Sequence, residues 1–243
     1  MIQQLEQKEK QRQAQTINLI ASENYASALV RQAQTSFFGD KYAEGAPGRR
    51  FYSGCQVADE LENYTAELAC KLFGAEYANV QPHSGSTANQ IVYAAFLEPG
   101  DTVLAMSMDS GGHLTHGSKV SLTAKVYNFI HYGLDETTQT IDYEQIQALA
   151  EQHKPKMIIA GASAYPRLID FEKIGQICKQ NSAIFMADIA HIAGMVATGL
   201  HQNPLPHADV VTMTTQKTLR GPRGGMILSR PEFAKQIERA VMP

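Results

Sequence analysis

Cysteine is scarce in this chain of 243 residues. Cys55, Cys70 and Cys178 are odd in number, widely spaced and form no CxxC pair. That argues against both a disulfide framework and a structural zinc site. Long apolar runs are missing too, since no stretch approaches the roughly 18 residues of a transmembrane helix. The polar start, Met1 to Lys8, lacks the apolar core of a secretory signal. Neither charge sign dominates: 21 Lys and Arg against 24 Asp and Glu leave a net charge of −3. Nothing therefore points to nucleic acid or an anionic membrane as partner. There is no GxGxxG dinucleotide fingerprint, and Gly112 to Lys119 imitates a P-loop only with Ser118 and Lys119 in the wrong order. What remains is an ordinary globular composition, 44% hydrophobic and 19% charged, for which a reducing cytoplasm is the simplest home.

The patterning is that of an α/β protein. Residues 1 to about 20 read as a polar helix that packs through Leu5, Ile17 and Ile20. Ala26 to Arg50 is irregular, a long loop or short-helix region. Val57, Leu61, Tyr64, Leu68 and Leu72 then recur at helical spacing, and Gly74 ends the helix. Strand-like runs follow at Thr102–Met106, Lys125–Ile130, Met157–Ala160, Ile184–Ala187, Val210–Met213 and Met226–Leu228. Amphipathic helices at Tyr143–His153 and Phe171–Gln180 lie between them. The strands are short, apolar and poorly alternating, as when helices cover both faces of a mostly parallel sheet. In such sheets chemistry gathers at the carboxyl ends of the strands.

Three polar clusters fall at such ends. Lys217 follows the strand that ends at Met213 and is flanked by threonines and glycines. A lysine that attacks an aldehyde needs a fixed position and a neutral amine, and a crowded strand end supplies both. A surface lysine in a polar loop is the competing explanation. Asp188 ends the apolar strand at Ala187 and can hold the pyridinium nitrogen of pyridoxal 5′-phosphate (PLP) protonated; it can equally cap a helix. His191, three residues on, can orient that Asp or touch a cofactor. Ser84-Gly85-Ser86-Thr87 opens a helix from Ala88 to about Leu97, where free N–H groups make an anion site. An ordinary serine cap explains one of those serines but not the run. His113 or His116 can cover a flat ring, whereas metal binding lacks an acidic or cysteine partner at ligand spacing in that segment.

Taken in order, these segments resemble serine hydroxymethyltransferase. The resemblance is carried by Ile20-Ala21-Ser22-Glu23-Asn24-Tyr25, Lys41-Tyr42-Ala43-Glu44-Gly45, Asn79 to Ser86, Gly111 to Gly117, His153 to Ile159, and Thr214-Thr215-Gln216-Lys217 through Gly225. It covers nearly the whole chain. It implies a fold type I, aminotransferase-like PLP domain with a mixed, mostly parallel sheet between helices. Residues 1–50 would form an N-terminal helix and interface arm, and residues 51–243 the PLP-binding large domain. Lys217 would carry the cofactor as a Schiff base, Asp188 would meet its pyridinium nitrogen and His113 would stack on its ring. His191 would sit near the phenolic oxygen, Ser84, Gly85 and Ser86 would hold the phosphate, and Ser163 would lie beside the cofactor. Glu44 would handle the proton of the substrate hydroxyl. With it, Tyr42 and Tyr52 would reach a neighbouring subunit's site. Ser22 would meet the substrate carboxylate, and Arg223 would steady the lysine loop. The implied reaction moves a hydroxymethyl unit reversibly between serine and tetrahydrofolate.

Two departures from that family stand out. Gln216 occupies the place usually held by a histidine, and an amide cannot titrate. The chain also stops at Pro243, so the family's C-terminal small domain, with its carboxylate-clamping arginine, is expected to be absent. A carboxylate–arginine fork is among the stronger hydrogen-bonded pairs, so PLP binding would outlast efficient turnover. The resemblance thus leaves two further readings: a folate-independent aldolase or transaldolase of β-hydroxy amino acids, and a non-catalytic PLP-binding remnant. A homodimer or pairing with a related chain is expected, with no metal, nucleic acid or membrane involved.

Overall fold

A computed structural model describes residues 1–242. Its centre is a seven-stranded sheet in the order β3-β9-β8-β7-β6-β4-β5. The strands are β3 (Tyr77–Asn79), β4 (Thr102–Met106), β5 (Asn128–Tyr132), β6 (Met157–Ala160), β7 (Ile184–Asp188), β8 (Val210–Thr214) and β9 (Gly225–Ser229). The five strands from β8 to β5 run parallel, while β9 is antiparallel to both β8 and β3. The two reversals leave β3 pointing the same way as the parallel strands. The segments leaving β3, β4, β6, β7 and β8, and the one entering β9, therefore share one edge of the sheet.

Alternate strand residues serve two cores. Leu104, Ile158, Phe185, Val211 and Leu228 face one cluster, which includes Ala69 and Phe73 of α3 (Gln56–Phe73), Ile146 of α6 (Tyr143–His153) and Ile174 of α7 (Phe171–Asn181). Val103, Ile159, Met186, Val210 and Ile227 face the other, with Val92 and Tyr93 of α4 (Gly85–Phe96) and Ile237 of α9 (Pro231–Val241). Burial on both faces removes the polar alternation of a one-sided sheet, which explains the continuous apolar runs in the sequence. At about 25 cal/mol per Å² of apolar surface, each fully buried large side chain contributes roughly 1.5–3 kcal/mol.

Several expectations change. The first helix, α1, ends at Gln15, and Leu5, Ile17 and Ile20 are 54%, 90% and 57% exposed rather than packed. The strand expected at Lys125–Ile130 lies at Asn128–Tyr132, because Thr123–Val126 forms a helical turn, α5. The irregular region contains α2 (Ala28–Gln34), a 3₁₀ turn at Phe37–Asp40 and a short hairpin, β1 (Gly45–Ala46) with β2 (Arg49–Arg50). The apolar stripe of α3 is real, but Val57, Leu61, Tyr64, Leu68 and Leu72 face outward; only Ala69 and Phe73 are buried. No helix of the described residues is long and apolar enough to cross a membrane.

Arg50 fixes the hairpin to the body. Its side chain is 4% exposed, and the guanidinium donates to Asp59 at 2.7 Å and Glu62 at 2.6 Å, and to the carbonyls of Ala43 and Gly45. Two carboxylates and two carbonyls around one guanidinium are what makes burying it tolerable.

Candidate active site

A cavity of about 390 Å³ opens at the shared sheet edge, lined by Ser84, Gly85, His113, Asp188, His191 and Lys217 among others. Its size is that of a small-molecule site, roughly 300–1,000 Å³. Ser22, Ser86, Ser163, Gln216 and Arg223 complete the match with the sequence-derived candidates. A larger hollow of about 480 Å³ lies between the hairpin, β3 and α9; it holds none of these groups, so chemistry favours the smaller one.

Lys217 leaves the end of β8 and is 8% exposed. Its Nζ lies 2.9 Å from His191 Nε2. Burial lowers the lysine's pKa, with Asp188 pulling the other way. His191 is pushed down to about 4, first by burial and then by the Lys217 charge. A neutral His191 therefore accepts the lysine's N–H through Nε2. The sign of the resulting stability dependence follows. Between pH 6.5 and about 4 the unfolded chain takes up a proton at His191 that the folded chain refuses. The fold is fully favoured above that window and loses stability as pH falls through it. Thermal unfolding of the cofactor-free chain should show this slope, and His191→Asn should flatten it.

Asp188 sits at the end of β7 inside a closed network. Its Oδ2 accepts from Asn89 Nδ2 at 2.9 Å and from His116 Nε2 at 3.0 Å, and its Oδ1 accepts from the Ala190 N–H at 3.0 Å. Burial alone would raise this carboxyl's pKa; the hydrogen bond from His116, then those from Asn89 and Ala190, overcome it and hold the group well below the usual range. Asn89 is pinned in turn, accepting from Thr212 Oγ1 at 2.6 Å and donating to Thr115 Oγ1 at 2.8 Å. One Oδ1 lone pair remains for a donor in the cavity. Gly161 lets β6 end close beside this group, since a Cβ there would lie 2.2 Å from the Asp188 carbonyl oxygen.

The histidine tautomers follow from their partners. His116 Nδ1 accepts from the His113 N–H at 3.3 Å, so its proton is on Nε2, facing Asp188. His113 Nδ1 accepts from the Thr115 N–H at 3.2 Å, and burial lowers its pKa, leaving a neutral ring over the cavity. His113, His116 and Asp188 do bring ligand-type atoms within 4.8 Å of one another. Both His116 nitrogens are already engaged, so a metal would have to dismantle the support of Asp188.

At the opposite wall, Ser84 caps α4, its Oγ accepting the Thr87 N–H at 3.1 Å while its carbonyl takes that of Ala88. The helix begins at Gly85, three residues before the expected start. That leaves the first-turn N–H groups of Gly85 and Ser86 for an anion. The cradle is tight: a Cβ on Gly85 would lie 2.6 Å from Thr214 Cγ2, and one on Gly225 2.3 Å from the Ser84 carbonyl. Anion cradle, ring-facing imidazole, deep carboxylate and buried amine together fit the phosphate, ring, pyridine nitrogen and aldehyde carbon of PLP.

Three candidates are not brought to this cavity. Tyr42 and Glu44 line a separate hollow beside Arg50, and Tyr52, 49% exposed, reaches Glu44 Oε2 at 3.4 Å. Sequence reasoning missed Asn89, Thr115 and Thr212. A polar residue in the buried stripe of α4 was the available sign for Asn89.

A family model described as serine hydroxymethyltransferase matches residues 1–242. A curated protein of that name from Coprothermobacter proteolyticus is 59% identical over 239 residues, 98% of this chain and 58% of the relative. The chain thus spans a little over half the length of the curated relative it matches.

Proposed function

The chain belongs to the serine hydroxymethyltransferase family, and from that premise we propose that it forms the PLP-binding part of a transferase moving a hydroxymethyl unit between serine and tetrahydrofolate, with glycine and methylenetetrahydrofolate on the other side. The observation that carries this reading is the placement of a buried amine, a buried carboxylate and a helix N-terminus around one cavity. Bound there, PLP supplies an electron sink for charge developing on the amino acid's α-carbon. In this reading Lys217 holds the cofactor covalently, and Asp188, kept ionised by its network, keeps the ring nitrogen protonated. Gly85 and Ser86 receive the phosphate on their N–H groups, with the Ser84 hydroxyl beside them. His113 covers the ring, Ser163 borders it, and His191 accepts a proton-bearing donor at the lysine side.

Ser22 and Arg223 both line the cavity; in this reading Ser22 would meet the substrate carboxylate and Arg223 would steady the lysine loop. Glu44, with Tyr42 and Tyr52, completes the site from a second copy, since none of the three lines its own chain's cavity. The outward stripe of α3 is the apolar surface such a copy would cover. Residues 51–243 then act as the large domain and residues 1–50 as the arm that crosses between copies.

The decisive experiment records the visible spectrum with added PLP, reduces with borohydride and maps the labelled peptide by mass. A label on Lys217 is expected; a colourless protein or another labelled lysine overturns the reading. Serine cleavage with and without tetrahydrofolate then separates hydroxymethyl transfer from folate-independent cleavage of β-hydroxy amino acids, a distinction to which the non-titrating Gln216 gives point.

A further inference from the structure

The segment that carries Ser22 has almost no apolar anchorage. No residue of α1 is buried, and Ile17, Leu19 and Ile20 are 90%, 89% and 57% exposed. Yet residues 18–25 are locally ordered. Asn18 Oδ1 accepts the Ile20 N–H at 2.9 Å, the Glu23 N–H returns to the Ile20 carbonyl at 3.0 Å, and Asn18 Nδ2 donates to the Glu23 carboxylate. Something must tie this turn to the body, and the ties are polar.

Asn24 Nδ2 donates to the main-chain carbonyl of Lys217 at 3.0 Å. The Tyr25 N–H fixes the orientation of that amide by donating to Asn24 Oδ1 at 2.8 Å. The same Lys217 carbonyl accepts the Arg220 N–H at 3.0 Å, so both its lone pairs are used. Arg220 is itself left-handed, with φ +63°, a region unfavourable for a side chain with a Cβ. That conformation closes the loop, letting the Gly221 N–H reach the Thr215 carbonyl at 2.7 Å, and Arg220 Nε then donates back to the Tyr25 carbonyl at 2.7 Å. Two residues thus exchange bonds between the Ser22 segment and the Lys217 loop.

We propose that Asn24 and Arg220 are positioning residues, a polar strap that couples order in the segment bearing Ser22 to the geometry of the loop bearing Lys217. A substrate group seated on Ser22 would thereby bias the lysine loop, and a loop displaced at Lys217 would loosen the arm. The consequence for bound PLP rests on the function proposed above; the strap itself does not.

Hydrogen exchange on the cofactor-free 243-residue chain separates the two. Asn24→Ala should raise exchange in peptides covering both 17–26 and 214–221 by roughly fivefold, the factor expected from losing one partly exposed hydrogen bond. Asn24→Asp, the same size but unable to donate, should do likewise. Arg220→Gly keeps the left-handed turn without steric cost and removes the guanidinium, so it should loosen 17–26 while leaving the melting temperature unchanged or higher. With PLP added, the pH midpoint of the lysine-bound absorbance should shift in Asn24→Ala. Wild-type exchange in the Asn24 variants, or loosening in those variants confined to 17–26, overturns the coupling. So does an unmoved absorbance midpoint in a protein that binds PLP. Failure to bind PLP at all would instead sink the functional reading, and the exchange data would still decide the strap.

Discussion

Lys217→Ala should abolish borohydride-fixable attachment of PLP and depress any serine cleavage by at least about 10³-fold, as expected when the covalent attachment point is removed. Among the residues lining the cavity Lys217 is the sole lysine, so no neighbour can substitute. The change should spare the fold. Burial already disfavours the ammonium, and deleting a group whose charge the fold opposes removes a cost at neutral pH. Mass mapping after reduction, with a melting curve alongside, distinguishes a lost attachment point from a lost structure. A variant that still takes a stable label at any lysine would contradict the assignment.

Asp188→Ala should be the most destabilising single change at the site. It strands the Asn89 amide, the His116 Nε2–H and the Ala190 N–H, all of which lose their acceptor together. Unsatisfied buried donors cost roughly 1–3 kcal/mol each, and breaking a buried charged contact about 3–5 kcal/mol. Allowing for overlap, the melting temperature should fall on the order of 10 °C. Asp188→Asn keeps the shape and should unfold closer to the parent. It cannot keep a ring nitrogen protonated, so turnover should drop on the order of 10²–10⁴-fold while PLP still binds. Acid sensitivity gives an independent check. A carboxyl held below its ordinary 3.8 contributes stability above that pH and loses it as the solution becomes more acidic. The Asn variant should show a shallower acid limb in a pH series of melts.

The strand ends were legible in the sequence because two-sided burial writes itself as short apolar runs, and Lys217 and Asp188 stand where two such runs stop. The cap at Ser84 was legible for a similar local reason. Other features were not. Three-residue β3, with Tyr77, Ala78 and Asn79 all half-buried, carries too little pattern to separate from a loop. The β5 boundary was displaced because Val126 and Tyr127 continue the apolar run that leads into β5, whereas Thr123 to Val126 forms a helical turn. The outward stripe of α3 has the spacing of a core-facing helix, and spacing alone cannot say what covers a face. The support of Asp188 was invisible because its parts come from α4, the segment before α5 and β8, up to 123 residues apart. Only the assembled sheet brings them together.

The strand order also constrains how the chain reaches its native state. Tyr77 lies opposite Ser229, so the first strand of the large sheet has no permanent neighbour until the last has been made. Pairings of such long sequence separation are slow to form, because closing the intervening loop costs entropy before any contact repays it. Until β9 inserts between them, β3 and β8 each present an unpaired backbone edge, open to the wrong strand. The parallel block from β4 to β8 can assemble as the nascent chain emerges. The anion cradle cannot, because its floor at Gly225 and its wall at Ser84 come from opposite ends of that wait. On the function proposed above, competence to bind the cofactor is expected to come late in folding.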